Sequence, residues 1–203
     1  MIPFETLLAL VVFVFASSVT PGPNNLMLTA SGINYGFVRT IPHMLGIPGG
    51  VMLLCLLVAF GLGAIFNSYP LLQETLKWLG CAYLLYLSWC IARATPIANQ
   101  AEGVSSESKP FTFLQSVSFQ FVNPKAWVMV ISAMSSFTLT GEDYVASALL
   151  VTLVFAIVNL PSISLWAGFG SVLRKLMTDP RKLRVINLAL AGLTAGSVLL
   201  IIG

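Results

Sequence analysis

Lys125 is the only charged residue well inside any apolar run of this chain, and it directly follows a proline. It stands in Asn123-Pro124-Lys125, within the run from Phe111 to Leu139. Either end of that run is about 14 residues away, or roughly 20 Å at 1.5 Å per residue. That is too far for the side chain to snorkel easily to an interface. A lysine at such depth costs at least about 2.5 kcal/mol, so it faces the protein interior and marks a functional site. Its ammonium can pair with a carboxylate or carry a proton.

A second interruption matches the first. Thr20-Pro21-Gly22-Pro23-Asn24-Asn25 breaks the apolar run that opens the chain, about half the chain length before Lys125. Proline removes a backbone donor and clashes with the carbonyl four residues back, so each break frees polar backbone groups. At bilayer depth these survive only inside protein or along a wet cavity. Paired interruptions in two halves of a chain point to the binding site of a transporter. Asn24 or Asn25 is expected to cap the helix that restarts. Its free N–H groups and partial positive charge suit an anion such as a substrate carboxylate. Thr20 would add a hydroxyl. The candidate substrate-binding residues are Thr20, Pro21, Gly22, Pro23, Asn24, Asn25, Asn123, Pro124 and Lys125. The alternative is a pair of proline kinks that only shape helix packing.

What is missing narrows the chemistry. Asp and Glu are absent from the middle of every apolar run; Glu5 and Glu74 lie near ends. A divalent-metal carrier needs oxygen, His or Cys ligands grouped in the membrane, and no such group is visible. Cys55, Cys81 and Cys90 all fall in apolar segments without a C-x-x-C pair, so neither a disulfide framework nor a thiol relay is expected. No metal site, cofactor or catalytic residue is assigned. His43 beside neighbouring hydroxyls would suit a membrane-embedded enzyme acting on a lipid or small amphiphile, but no motif ties them together. A packed or interfacial histidine is the plainer reading. A third possibility is a scaffold subunit using the basic residues between 174 and 184 and its glycine faces.

The elements that must position the two breaks follow from composition. Hydrophobic residues make up 57% of the 203 and charged residues 8%, with a mean hydropathy of +0.92. Soluble domains carry roughly 25% charged residues, so the lipid bilayer must solvate much of this surface. Requiring roughly 20 apolar residues per crossing predicts an all-α membrane protein of six spans. They run from Phe4 to Ser31, Thr40 to Phe66, Leu71 to Ala92, Phe111 to Leu139, Tyr144 to Gly170, and Val185 to the C-terminus. The opening segment carries Glu5 and no Lys or Arg, unlike a signal peptide, and is expected to be a retained helix.

Residues 94–110, rich in Ser, Glu, Ala and Pro, read as a linker within a single transporter domain spanning 1–203. They separate half-repeats of about 1–93 and 111–203, a 3+3 inverted repeat whose first and fourth helices are the broken ones. Basic residues set the orientation. Loops 1–2, 3–4 and 5–6 hold eight: Arg39, Arg93, Lys109, Arg174, Lys175, Arg181, Lys182 and Arg184, the last five read as one short loop. The other side has Lys77 alone. Those loops are therefore placed in the cytoplasm and both termini outside. The basic cluster is explained as a membrane loop and not as a nucleic-acid surface. Gly46-Ile47-Pro48-Gly49-Gly50 and Asn159-Leu160-Pro161-Ser162 are hinges, cavity walls or static kinks. Gly46/Gly50 and Gly192/Gly196 fit the spacing for close helix approach, within the chain or in a homodimer. Trp78, Trp89 and Trp166 read as interface or packing aromatics, and Trp127 as a candidate wall of the site.

At these motifs the chain resembles the LysE/RhtB family of bacterial amino-acid exporters. The resemblance is carried by Thr20-Pro21-Gly22-Pro23-Asn24-Asn25 and Phe121-Val122-Asn123-Pro124-Lys125-Ala126-Trp127, and by length and layout over the whole chain. Ser118-Phe119-Gln120-Phe121-Val122-Asn123 and Pro21-Gly22-Pro23-Asn24-Asn25 look most like the cysteine/O-acetylserine exporter branch. Span two departs from the Gly/Ala-rich stretch expected there, carrying Pro42, His43, Met44 and Pro48 instead. The resemblance implies proton-driven export of a small amino acid across a bacterial inner membrane by a multi-pass antiporter.

Overall fold

A computed structural model describes residues 2–62, 68–94, 109–176 and 179–202. Most of the expected linker and the tail of the second span lie outside the described residues. The described residues form helices joined by short turns, and no strand occurs among them.

The opening run is two helices, α1 (Phe4–Val19) and α2 (Pro23–Tyr35), bent by 57° at the first break. Gly36 alone then links α2 to α3 (Phe37–Leu57). Its φ of 83° lies in the left-handed region where only glycine is at ease. A wide turn, Val58–Leu62, ends α3 with Gly61 at φ 103°. The chain continues through α4 (Pro70–Arg93), then α5 (Phe113–Val122) and α6 (Pro124–Phe137), which flank the second break. The 33-residue α7 (Tyr144–Leu176) follows, then α8 (Pro180–Gly196) and a last turn, α9 (Leu199–Ile202).

Among the described residues three helical stretches are long and apolar enough to cross a bilayer: Phe37–Gly61, Glu74–Arg93 and Gly141–Leu176. The bent pair α1–α2 makes a fourth. α5 with 10 residues and α6 with 14 are each too short alone, at roughly 15 and 21 Å. The six-span expectation is therefore matched for four spans.

Several boundaries move for local reasons. α8 starts before Val185 because the Asp179 side chain accepts from the Arg181 N–H and Pro180 occupies the first helical position. Arg174 and Lys175 sit in the last turn of α7, while Arg181, Lys182 and Arg184 belong to α8, so the basic cluster is two helix ends and not one loop. Pro42, Pro48 and Pro161 lie inside continuous helices.

Large apolar side chains face outward as well as inward, as lipid solvation demands, and polar side chains are buried among the apolar core. Leu149, Leu153, Ile157, Leu165 and Phe169 recur at helical spacing on the outer face of α7. Asn25, Asn34, Gln120, Asn123, Asn159 and Asn187 are buried. Because lipid is as apolar as leucine, close packing must hold such helices together. Two glycine seams supply it. On α2 and α7, a methyl group on Gly32 would strike the Ala167 carbonyl, and one on Gly170 the Thr29 carbonyl. On α3, one on Gly46 would come within 2.5 Å of the Phe113 carbonyl of α5, and one on Gly50 within 2.8 Å of the Val117 carbonyl. The Gly46/Gly50 spacing thus serves packing within the chain. Nothing lies within 4 Å of the corresponding points at Gly192 and Gly196.

Contacts cross over between the halves. The pair α1–α2 packs on α7, the pair α5–α6 packs on α3, and α4 packs on α8.

Candidate functional site

The two breaks meet. Lys125 follows the second break, yet its Nζ donates to the Thr20 carbonyl in the first at 2.7 Å. The Lys125 side chain passes within 3.1 Å of where a Cβ would stand on Gly22, so the bare backbone there gives the lysine its room. Beside this contact, Asn24 Nδ2 donates to Gln120 Oε1 at 2.9 Å, and Gln120 Nε2 donates to Asn24 Oδ1 at 3.2 Å. This reciprocal amide pair bridges the halves. Gln120 is fully buried, also donates to the Ser116 carbonyl, and accepts from Asn123 Nδ2 at 3.4 Å.

How each break satisfies its backbone explains which residues stand there. In an unbroken helix the carbonyls of Ser18, Val19 and Thr20 would each accept from an N–H four residues on. Here Asn25 Nδ2 donates to Ser18 at 2.8 Å and to Thr20 at 2.9 Å. Trp166 Nε1, from α7, donates to Val19 at 3.1 Å. At the second break, Lys125 N–H donates to Asn123 Oδ1 at 3.2 Å instead of to Phe121. The Phe121 carbonyl accepts from Trp127 Nε1 at 2.8 Å. Freed groups find side-chain partners, as buried backbone requires.

The candidate residues differ from expectation in two respects. Neither Asn24 nor Asn25 caps α2; Gly22 is its N-cap, without a side-chain bond, and Pro23 presets the first turn. Freed from capping, the two asparagines serve the bridge and the break. The Thr20 hydroxyl turns back to the Ala16 carbonyl of its own helix at 2.5 Å, so Thr20 offers its carbonyl and not its hydroxyl. Asn123, by contrast, does cap, at the start of α6. Sequence reading assigned none of Gln120, Asn159, Ser18 and Trp166 to the site, although it named Asn159 in a possible hinge, cavity wall or kink and Trp166 as an interface or packing aromatic. A glutamine or asparagine inside an apolar helix was the available signal for the first two.

Space surrounds the meeting point unevenly. A cavity of about 30 Å³ is bordered by Ser18, Asn24, Asn25, Gln120, Lys125 and Asn159 among others, enough for about two waters. Asn159 Nδ2 donates to Ser18 Oγ at 2.9 Å, while its Oδ1 is buried with no partner. The small cavity shares Gly22, Asn123 and Lys125 with a vestibule of about 760 Å³. The vestibule walls include Trp127, Lys77, Ser132 and Ser197. A third space of about 590 Å³ is bordered by Met27, Asn34, His43, Tyr86, Arg93 and Lys109 and shares no residue with the other two. Phe119 and Leu84 line none of these spaces and belong to one buried apolar cluster, with the Tyr83 ring 5.5 Å from Phe119. Among the described residues no three His, Cys, Asp or Glu side chains come together as metal ligands.

A polar bridge at the junction of two broken helices, opening on one side to a large vestibule, fits solute passage better than bond-breaking. The LysE type translocator family model matches residues 15–202. The chain belongs to that family. It is a family of translocators, so the enzyme reading of His43 is set aside. Curated relatives of this LysE type chain carry efflux names. A cysteine/O-acetylserine efflux protein of Salmonella choleraesuis (strain SC-B67) is 31% identical over 166 residues, 80% of this chain and 81% of that protein. One of Escherichia coli (strain K12) is 29% identical over 182 residues, 88% of each. No solved structure matches the chain. The LysE type membership and the lipid-facing helices make this a multi-pass membrane protein of a transport family.

Proposed function

We propose that this chain is a secondary transporter that exports small amino acids or related metabolites from the cytoplasm, driven by the proton gradient. The observation that carries the reading is the Lys125 ammonium donating to the Thr20 carbonyl across two broken helices. Among the described residues this is the ammonium's one hydrogen bond, and an ammonium has three donors. A substrate carboxylate docks on Lys125 beside the bare Gly22 backbone, and the unpartnered Asn159 Oδ1 accepts from the substrate ammonium. The efflux names of the relatives support cysteine, O-acetylserine and similar solutes as cargo.

The crossed packing of α1–α2 on α7 and α5–α6 on α3 supports a 3+3 inverted repeat with halves near 1–93 and 111–203. With six crossings in a bacterial inner membrane, the basic residues put both termini in the periplasm. The 760 Å³ vestibule then faces outward and the 590 Å³ cavity inward. The glycine seams and the Phe119–Tyr83 layer close the inner side, and the small central cavity is too tight for an amino acid. Transport follows when the halves rock and the seams part. The open face at Gly192 and Gly196 receives a second copy in a homodimer.

Counterflow in proteoliposomes loaded with a panel of amino acids tests this. Parent protein should exchange a few small neutral amino acids, and Lys125→Ala should lower the rate at least tenfold. Folded Lys125→Ala and Gly22→Leu proteins exchanging at the parent rate would show that the substrate binds elsewhere.

A further inference from the structure

His43 has no place in the substrate site just described, and its surroundings do not explain it as packing. It is the chain's single histidine. It lies on α3, is 1% exposed, and borders the inward cavity. Neither Nδ1 nor Nε2 has a hydrogen-bond partner; among the described residues the only other buried side-chain polar atom so placed is Asn159 Oδ1. A ring that buries two polar atoms unsatisfied is a poor choice for filling space, where leucine or phenylalanine would serve without that cost.

The ring's neighbours lead into the buried apolar cluster that holds Phe119 and Leu84. Its centroid is 5.0 Å from that of Phe111. Tyr83 stands 6.4 Å from Phe111 and 5.5 Å from Phe119. His43, Phe111, Tyr83 and Phe119 therefore form one run of ring contacts, from the inward cavity to the chain neighbour of Gln120. α3 also carries Gly46 and Gly50, whose seam with α5 holds the inner side shut.

We propose that His43 is the proton-binding site of the transport cycle, and that its protonation loosens the ring layer of Phe111, Tyr83 and Phe119. This rests on the secondary-transport reading. Imidazole changes charge between pH 5 and 8 more readily than any other ordinary side chain. The groups facing this region are Tyr35 of α2, Tyr86, Cys90 and Arg93 of α4, and Lys109 ahead of α5. Arg174 of α7 lies against Gly36 at the start of α3. Among the described residues bordering the cavity none is acidic. A proton added to a ring nitrogen lone pair therefore places a further positive charge beside a wall whose charged described residues are basic. The charged ring must swing toward water, carrying Phe111 with it and opening the seam. One proton is taken from water on the outer pathway and released to water in the inward cavity for each solute exported.

Proteoliposomes carrying parent, His43→Gln or His43→Asn protein separate the possibilities. Three quantities are read in the same vesicles: counterflow exchange, accumulation driven by an imposed pH gradient, and solute-driven proton movement reported by an internal pH dye. Exchange needs no net proton transfer, so the variants should still exchange at a measurable rate. Gradient-driven accumulation and dye response should fall at least tenfold. Variants that accumulate solute and move protons like the parent would make His43 a packing residue. Exchange and accumulation falling in parallel would make it a substrate contact, and failure of both variants to insert would make it a folding element. Each overturns the proposal. A parent that exchanges without moving protons also overturns it while leaving the transporter reading intact. A parent that does not exchange at all removes both.

Discussion

The two breaks meet at one point but are braced differently. At the first, the stranded carbonyls of Val19 and Thr20 take donors from the other half of the chain, Trp166 on α7 and Lys125 on α6. At the second, the support is local: Asn123 caps Lys125, and Trp127 on the same helix serves the Phe121 carbonyl. The second break is thus a self-contained platform. The first has Asn25 as a local donor but also draws on the other half of the chain. A transporter needs one such dependent element, since relative motion of the halves must change the site. The difference assigns the moving part to the Thr20–Pro23 corner.

The largest effect should come from separating the corner from its support. Gly170→Leu drives side-chain atoms into the Thr29 carbonyl of α2, where backbone cannot yield. Overpacking of this kind costs on the order of 3 kcal/mol. Folded yield and melting temperature in mild detergent should both drop sharply. Gly50→Leu, on the other seam, first meets the Gln120 side chain and then the Val117 carbonyl at 2.8 Å. Part of that obstacle can move, so the loss should be smaller. A Gly170→Leu protein melting with the parent would mean that α2 does not depend on α7.

Next in size is the bridge. Removing one amide of the Asn24–Gln120 pair leaves the other buried and unpaired, a cost of about 1–3 kcal/mol in water-soluble proteins and nearer 1 in membranes. Asn24→Leu and Gln120→Leu should each lower stability, and the double variant should lose less than their sum. Additive losses in a melting-based double-mutant cycle would show that the bridge is incidental. The indole donors then divide the two breaks. Trp166→Phe strands the Val19 carbonyl and should slow exchange several-fold, because it frees the dependent corner. Trp127→Phe should cost about 1 kcal/mol of stability with exchange reduced less than twofold. Equal slowing by both would erase the distinction between corner and platform.

Much of this was legible in the chain. Proline punctuation marked both breaks, and one lysine too deep to snorkel singled out the second. The apolar runs placed both ends of α4 and the starts of α3 and α7 within a few residues. Capping at the first break was misread because two rules competed for the same segment. Asparagine is a good N-cap, but proline at the first helical position already starts α2 from Gly22, releasing Asn24 and Asn25 for other partners. The bridge was invisible for a different reason. Gln120 and Asn24 are 96 residues apart, and no periodicity in one sequence encodes a pairing across halves. The same holds for Trp166, whose role depends on α7 lying against a carbonyl it never meets in sequence. The glycine spacing was ambiguous by nature: the Gly46/Gly50 stripe closes on α5, while the Gly192/Gly196 stripe meets no other element among the described residues.

That last contrast carries the smallest expected effect and tests the picture at its edge. Gly192→Ala adds a methyl group where no atom lies within 4 Å, and alanine is better than glycine inside a helix by roughly 0.8–1.0 kcal/mol. If α8 presents this face to lipid, the variant should melt at or slightly above the parent temperature and exchange at the parent rate. If a second copy covers the face, the same methyl group widens the closest approach, and the bulkier Gly192→Leu should shift the detergent-solubilised protein from dimer to monomer in light scattering. A monomeric parent with an unperturbed Gly192→Leu would leave the glycines at 192 and 196 facing lipid. The load-dependent contacts of the corner would then all lie within one chain.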